Sequence, residues 1–286
     1  MGTGLVLRPS SSLAEPFLAE TVGRTFALTP IRRQPALAAP IMSHLPPHTT
    51  TPITALTADG HWYQLPDGYV QRAALQPIAP YQQPTIESDL GFYAGMIAPV
   101  SSLRAWCAAR APIIATLGYG AILYVADRLT DDRGAVWYGL AAHPQGETLG
   151  WSPALHFARW QPVSVAQRPT RLHLDMKSSH LVAYHADRPI VRLPIAMHGT
   201  PPPRCTVQAV SLTASGDLPL GAPYQFRMGA EGRIVGSYWH NHFVREPQEF
   251  ASNIQIEDKV TAELPIYAAR WLYSALGSDE TVMTIE

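Results

Sequence analysis

The first half of the chain repeats itself, and this duplication limits the architectures open to it. Ala39-Pro40-Ile41-Met42-Ser43-His44-Leu45 reads like Ala111-Pro112-Ile113-Ile114-Ala115-Thr116-Leu117. Further on, Asp59-Gly60-His61-Trp62-Tyr63-Gln64-Leu65 matches Arg133-Gly134-Ala135-Val136-Trp137-Tyr138-Gly139-Leu140, with one residue inserted. A glycine and an aromatic follow each pair, Gly68-Tyr69 and Gly150-Trp151. Each copy then closes on Gln-Pro-aliphatic, Gln76-Pro77-Ile78 and Gln161-Pro162-Val163. Four features in the same order make a duplicated structural unit. Asp59-Gly60 and Arg133-Gly134 sit where a hairpin must turn. On a strand the Trp-Tyr pair alternates, so one ring is expected to face the core and the other outward. Small barrels need such rings to fill their interiors, so two small β-barrels are expected.

Composition narrows the classes further. The 27 prolines among 286 residues are about twice the usual share, which favours short strands and turns over helices. Lys+Arg is 21 and Asp+Glu is 22, for a net charge of -1, so no basic excess is present to neutralise phosphates. Nucleic-acid binding is therefore not expected. Cys107 and Cys205 are the two cysteines, too few for a disulfide scaffold or a cysteine-based zinc site. The apolar run from Ala111 to Ala126 is too short for a membrane span and contains Pro112, Gly118 and Gly120, so no transmembrane segment is expected. The opening MGTGLVLRPSSSLAEPFLAE has no continuous apolar core of a signal peptide. Nucleotide, Ser-hydrolase, dinucleotide and zincin motifs are all missing.

The "D-G-x-W-Y" strand followed by "G-aromatic" resembles bacterial SH3-like domains. The resemblance covers about residues 26–80 and 98–164 and implies wall binding or domain spacing. Residues 1–25 form an N-terminal segment. Pro80 to Val100 holds Pro80, Pro84, Gly91, Gly95 and Pro99, and 81–97 reads as a connector whose aromatics pack on a barrel.

After Gln167-Arg168-Pro169 the pattern changes. Arg171 to Asp175, Leu181 to His185 and Pro189 to Ile195 alternate polar and apolar as a meander. Tyr224 to Met228 and Arg233 to Trp239 read as two more strands. Pro265 to Leu276 reads as the one clear helix, with Pro265 in the first turn and Gly277 as the stop, and Thr281 to Ile285 as a last strand. Three ordered segments, "RLHLDMKSSHLVAYHADRPIVRLPIAMHGTP", "GSYWHNHF" and "AELPIYAARWLY", resemble the catalytic domain of L,D-transpeptidases, the YkuD-like fold. The likeness spans about residues 168–286. The expected fold is mainly β: two SH3-like small β-barrels, then an L,D-transpeptidase-like β-sandwich with one C-terminal helix.

The resemblance implies peptidoglycan cross-linking by a Cys thiolate activated by His, outside the cytoplasm and without a cofactor. This sequence departs from that pattern. Val235 stands where the base His of "H-G-T-Y-W" belongs. Counting back from Leu264-Pro265, the "S-H-G-C" segment falls on residues 258–261, so that Lys259, Val260 and Thr261 replace His, Gly and Cys. The stretch 244–260 is longer than the family pattern, but no Cys follows Cys205, so no shift of register restores the nucleophile. Cys205 falls at a core position, where a small buried hydrophobe is expected. Thr261 could act only with a positioned base, Lys259 being two residues away. Removing one member of such a unit costs on the order of a millionfold in kcat. No catalytic residue is therefore expected.

The retained Tyr238, Trp239, His240, Asn241 and His242 are the candidate cleft and binding residues. The His-x-His spacing of His240 and His242 could begin a metal site, but no third ligand is identifiable and no metal is expected. His173, His180, His185 and His198 are expected as surface or hydrogen-bonded histidines. The leading expectation is an inactive relative that binds or scaffolds peptidoglycan or a cell-wall protein. The alternatives are an active cross-linking enzyme with an altered nucleophile, and a structural module with no wall ligand.

Overall fold

The computed structural model describes residues 22–198, 202–214, 218–230, 232–241, 243, 262–277 and 279–285. These residues are mainly β, with one α-helix among them.

The first repeat unit carries β1 (Val22–Thr25), β2 (Thr29–Arg32), β3 (Ile41–Leu45), β4 (Thr50–Pro52), β5 (Ala55–Leu56), β6 (Trp62–Leu65), β7 (Gly68–Gln71) and β8 (Leu75–Ile78). They form two sheets, ordered β3-β2-β7-β6-β5 and β4-β1-β8. The second carries β9 (Phe92–Met96), β10 (Val100–Arg104), β11 (Ile113–Gly118), β12 (Ile122–Thr130), β13 (Val136–Ala141), β14 (Gly150–Pro153) and β15 (Phe157–Arg159), in one sheet ordered β11-β10-β14-β13-β12-β9-β15. Placing β5 and β4 together at the position of β12 makes the two orders identical. The first unit breaks there because Pro52 has no N–H for a ladder. The nine-residue β12 instead runs through, with a bulge between Val125 and Asp127. Thus β1 and β9 fall within the segments read as an N-terminal extension and a connector.

The repeat extends to single hydrogen bonds. Arg32 Nη1 donates to Ala39 O at 2.8 Å and Arg104 Nη1 to Ala111 O at 2.6 Å, each just after a register shift in its hairpin. Arg33 N donates to Pro40 O and Ala105 N to Pro112 O. Gly68 and Gly150 cross these arginines closely: a Cβ would lie 2.5 Å from Arg32 O and 2.7 Å from Arg104 O. The Trp-Tyr pairs differ from expectation, because Trp62, Tyr63, Trp137 and Tyr138 are all buried. In the second unit the hairpin turn is folded back, and its Asp131 accepts a bond from Trp137 Nε1 at 3.0 Å. The outward ring is thereby covered.

The C-terminal part holds β16 (Arg171–Asp175), β17 (His180–His185), β18 (Arg188–Pro194), β19 (Ala196–Met197), β20 (Arg204–Thr213), β21 (Pro223–Met228), β22 (Gly232–Ser237), β23 (Ala262–Pro265), α1 (Ile266–Leu276) and β24 (Glu280–Ile285). Its sheet is ordered β18-β17-β16-β24-β20-β21-β22-β23-β19. The pairs β16/β24 and β22/β23 are parallel. Only Ile195 separates β18 from β19, yet these strands end the sheet on opposite sides. The sheet must therefore curl until its two edges meet at that residue. Leu172, Leu174, Leu181 and Ala183 line its inside. Helix α1 packs against β21, β22 and β23 through Ala268, Ala269 and Leu272. It stops at Gly277, whose positive φ of 58° lets its N–H return to Tyr273 O.

The units are joined by specific bonds. Trp160 Nε1 donates to the buried Tyr224 hydroxyl at 3.0 Å, Val163 N to Ser274 Oγ, and Ile122 N to Gly221 O. Ala222, Val235, Tyr238 and Trp239 share an apolar core with Leu117, Leu123 and Leu140 of the second unit.

Candidate functional site

The segment after β22 is where the units converge. Tyr238, Trp239, His240 and Asn241 are all buried there. Asn241 Nδ2 donates to Arg72 O at 2.9 Å and Leu75 O at 2.8 Å, across to the first unit. The Tyr238 hydroxyl donates to Leu220 O, and its ring lies where a side chain on Gly118 would stand. Burial pushes this phenol above the ordinary tyrosine range. Tyr238 O in turn accepts from Arg24 Nη2 at 2.8 Å.

Arg24 is buried and ties the junction together. Its Nε donates to Gln76 Oε1 at 2.8 Å, and Gln76 Nε2 donates to Tyr119 O. His48 Nδ1 lies 3.3 Å from Nη1. Burial lowers the guanidinium to about 10, although charge on Tyr238 opposes the shift. Among the described residues no carboxylate pairs with it.

Val235 lies in β22 with no exposed surface and belongs to the apolar core shared with the second unit. In the parallel ladder it stands opposite Glu263 of β23. Lys259, Val260, Thr261 and His242 lie outside the described residues. Cys205 is on β20, opposite Met283 of β24, and β21 and β22 separate β20 from β23. Three strand spacings amount to roughly 14 Å along the sheet. Burial raises the Cys205 thiol, which disfavours the thiolate. Cys107 lies in the loop between β10 and β11; both cysteines are free thiols.

The polar cluster of this region is one that the sequence did not assemble. Glu263 is fully buried in β23. Its Oε2 accepts from His240 Nε2 at 2.6 Å and from His198 Nε2 at 2.8 Å. Burial alone would raise this carboxyl, but the two imidazole bonds and their charge outweigh it and pull it down to about 2. Glu263 is therefore a fixed anion at neutral pH. Its other oxygen is buried without a partner among the described residues. His198 follows the short edge strand β19, whereas His240 packs beside the rings of Trp239 and Phe243. Among the described residues no group of three or more His, Cys, Asp or Glu is arranged to hold a metal ion.

The other histidines are engaged locally. His180 Nδ1 lies 2.6 Å from Ser178 O, His185 Nδ1 lies 2.7 Å from Arg168 O, and His173 Nδ1 lies 3.4 Å from Thr284 Oγ1. A signal for the Glu263 cluster did exist: a carboxylate inside the otherwise apolar Ala262-Glu263-Leu264-Pro265 must find a buried partner. Its partners are far away in sequence, and only the adjacency of β19, β22 and β23 supplies them.

No family model matches the chain, and no curated protein matches it. Among solved structures, NlpC1 from Trichomonas vaginalis aligns with 82% of this chain and 89% of its own, at 11% identity and a TM-score of 0.19. So loose a superposition establishes no common fold, and the functional reading rests on this chain's own residues. Among the described residues no helix is long and apolar enough to cross a membrane.

Proposed function

We propose that the chain is an L,D-transpeptidase-like (YkuD-like) protein that no longer cross-links and instead binds or scaffolds peptidoglycan or a cell-wall protein outside the cytoplasm. In this reading residues 26–80 and 98–164 are SH3-like units, residues 168–286 are the YkuD-like unit, and no cofactor is used. One observation carries it. Where the resemblance places an imidazole base, Val235 is sealed into an apolar core, and the nearest cysteine in the sheet stands three strands from Glu263. An aliphatic side chain accepts no proton, and a thiol on another strand cannot reach the same carbonyl.

The burial of Tyr238 to Asn241 against the first and second units gives those residues a packing role. The exposed surface left to a ligand in this region is the edge near His198. The retained duplicate units then act as wall-facing modules. The test is sedimentation of the full chain with purified peptidoglycan, with cellulose as control. Enrichment on peptidoglycan is expected; equal recovery on both would overturn the reading.

A further inference from the structure

The Glu263 cluster contains a device that a binding role does not use. Because Glu263 is an anion, the bonds at its Oε2 are donated by the imidazoles, so both rings carry a proton on Nε2. When such a ring is neutral its remaining lone pair is on Nδ1. His240 is buried, with a side chain only 5% exposed, and cannot meet a solute. His198 is different: 33% of its side-chain surface is exposed, and its Nδ1 has no hydrogen-bond partner among the described residues. It follows β19, the last strand in the sheet order among the described residues. A buried carboxylate thus fixes the tautomer of an imidazole that is itself partly exposed.

We infer that His198 is a general base, positioned by Glu263, that activates water for the hydrolysis of carboxylic esters. Water's oxygen bonds to the ester carbonyl carbon while its proton passes to His198 Nδ1, and the carbonyl electron pair moves to oxygen. The tetrahedral intermediate then collapses, the C–O bond to the alcohol breaks, and the departing alkoxide takes the proton back from Nδ1. The products are one acid and one alcohol, and the base is regenerated. Esters fit better than amides because an alkoxide or phenoxide leaves far more readily than an amide nitrogen. The titratable groups hydrogen-bonded at this point are Glu263 of β23 and His240 after β22. This activity needs neither a thiol nor a wall ligand, so it stands or falls separately from the peptidoglycan reading.

The test is hydrolysis of p-nitrophenyl acetate by the full chain. The expected rate exceeds that of buffer and is slower in D2O. His198→Gln should lower it about 100-fold or more, the usual worth of a general base. His198→Gly should be partly rescued by added imidazole, a readout that a purely structural role would not give. His173→Gln, in a ring bonded elsewhere, should leave the rate unchanged. If Glu263→Gln folds, it should keep a reduced rate with a shifted pH profile. A wild-type rate no faster than buffer would overturn the inference. So would an unchanged rate in His198→Gln, or no rescue by imidazole.

Discussion

Replacing Glu263 by Gln tests the buried cluster from its energetic side. The carboxylate has no exposed surface and takes two imidazole bonds at 2.6 and 2.8 Å. Gln keeps the shape but removes the charge, leaving two imidazoles around a weak acceptor. Breaking a buried pair by neutralising one member costs about 3–5 kcal/mol. An independent route gives a similar figure. The carboxyl moves from 4.5 to about 2 on folding, and a difference of that size corresponds to roughly 3 kcal/mol of linkage. Because the folded value is depressed, this stability is fully present above the unfolded value of 4.5. It is lost as pH falls from there toward 2. The assay is urea unfolding of wild type and Glu263→Gln between pH 7 and 2, followed by circular dichroism. The wild type should be more stable by about 3 kcal/mol at pH 7, and the difference should shrink steadily below pH 4.5. Parallel stability curves for the two proteins over that range would refute the assignment of a buried anion.

Four further outcomes follow from the packing. Gly150→Ala should destabilise by about 1–3 kcal/mol in thermal unfolding, because its Cβ meets the Arg104 carbonyl, Leu103 and Ile114 at once. Arg24→Ala should cost about 3 kcal/mol by the same measurement, through loss of charged bonds to Gln76 and Tyr238 O. Arg24→Met should cost much less, since it keeps the stem and removes a buried cation that burial disfavours. Trp160→Phe should lower stability by about 1 kcal/mol by removing the bond to the Tyr224 hydroxyl.

Much of the architecture was legible because it is local or repeated. The Ala-Pro-Ile and Trp-Tyr segments marked two copies, and the copies share strand order, bulges and an Arg-to-carbonyl bond. Alternation placed β16 to β18, and Pro265 with Gly277 bracketed the helix. What escaped was whatever depended on distant partners. Arg24 lay in a segment with no pattern of its own, yet it reaches Tyr238 from the far end of the chain. Phe92 to Met96 looked like connector because Gly91, Gly95 and Pro99 dominate its composition, but its neighbours in space make it an inner strand. His198 was one scattered histidine among several. Nothing local distinguishes it from His185 until the curled sheet brings β19 beside β23.

The claim on which the functional account turns is that this chain carries out no thiolate chemistry. The most direct measurement is intact-mass analysis of the full chain after incubation with a carbapenem, which acylates the nucleophilic cysteine of working L,D-transpeptidases. The account predicts an unmodified mass, with Cys107 and Cys205 both left free. A stoichiometric adduct lost in Cys205→Ser would contradict it.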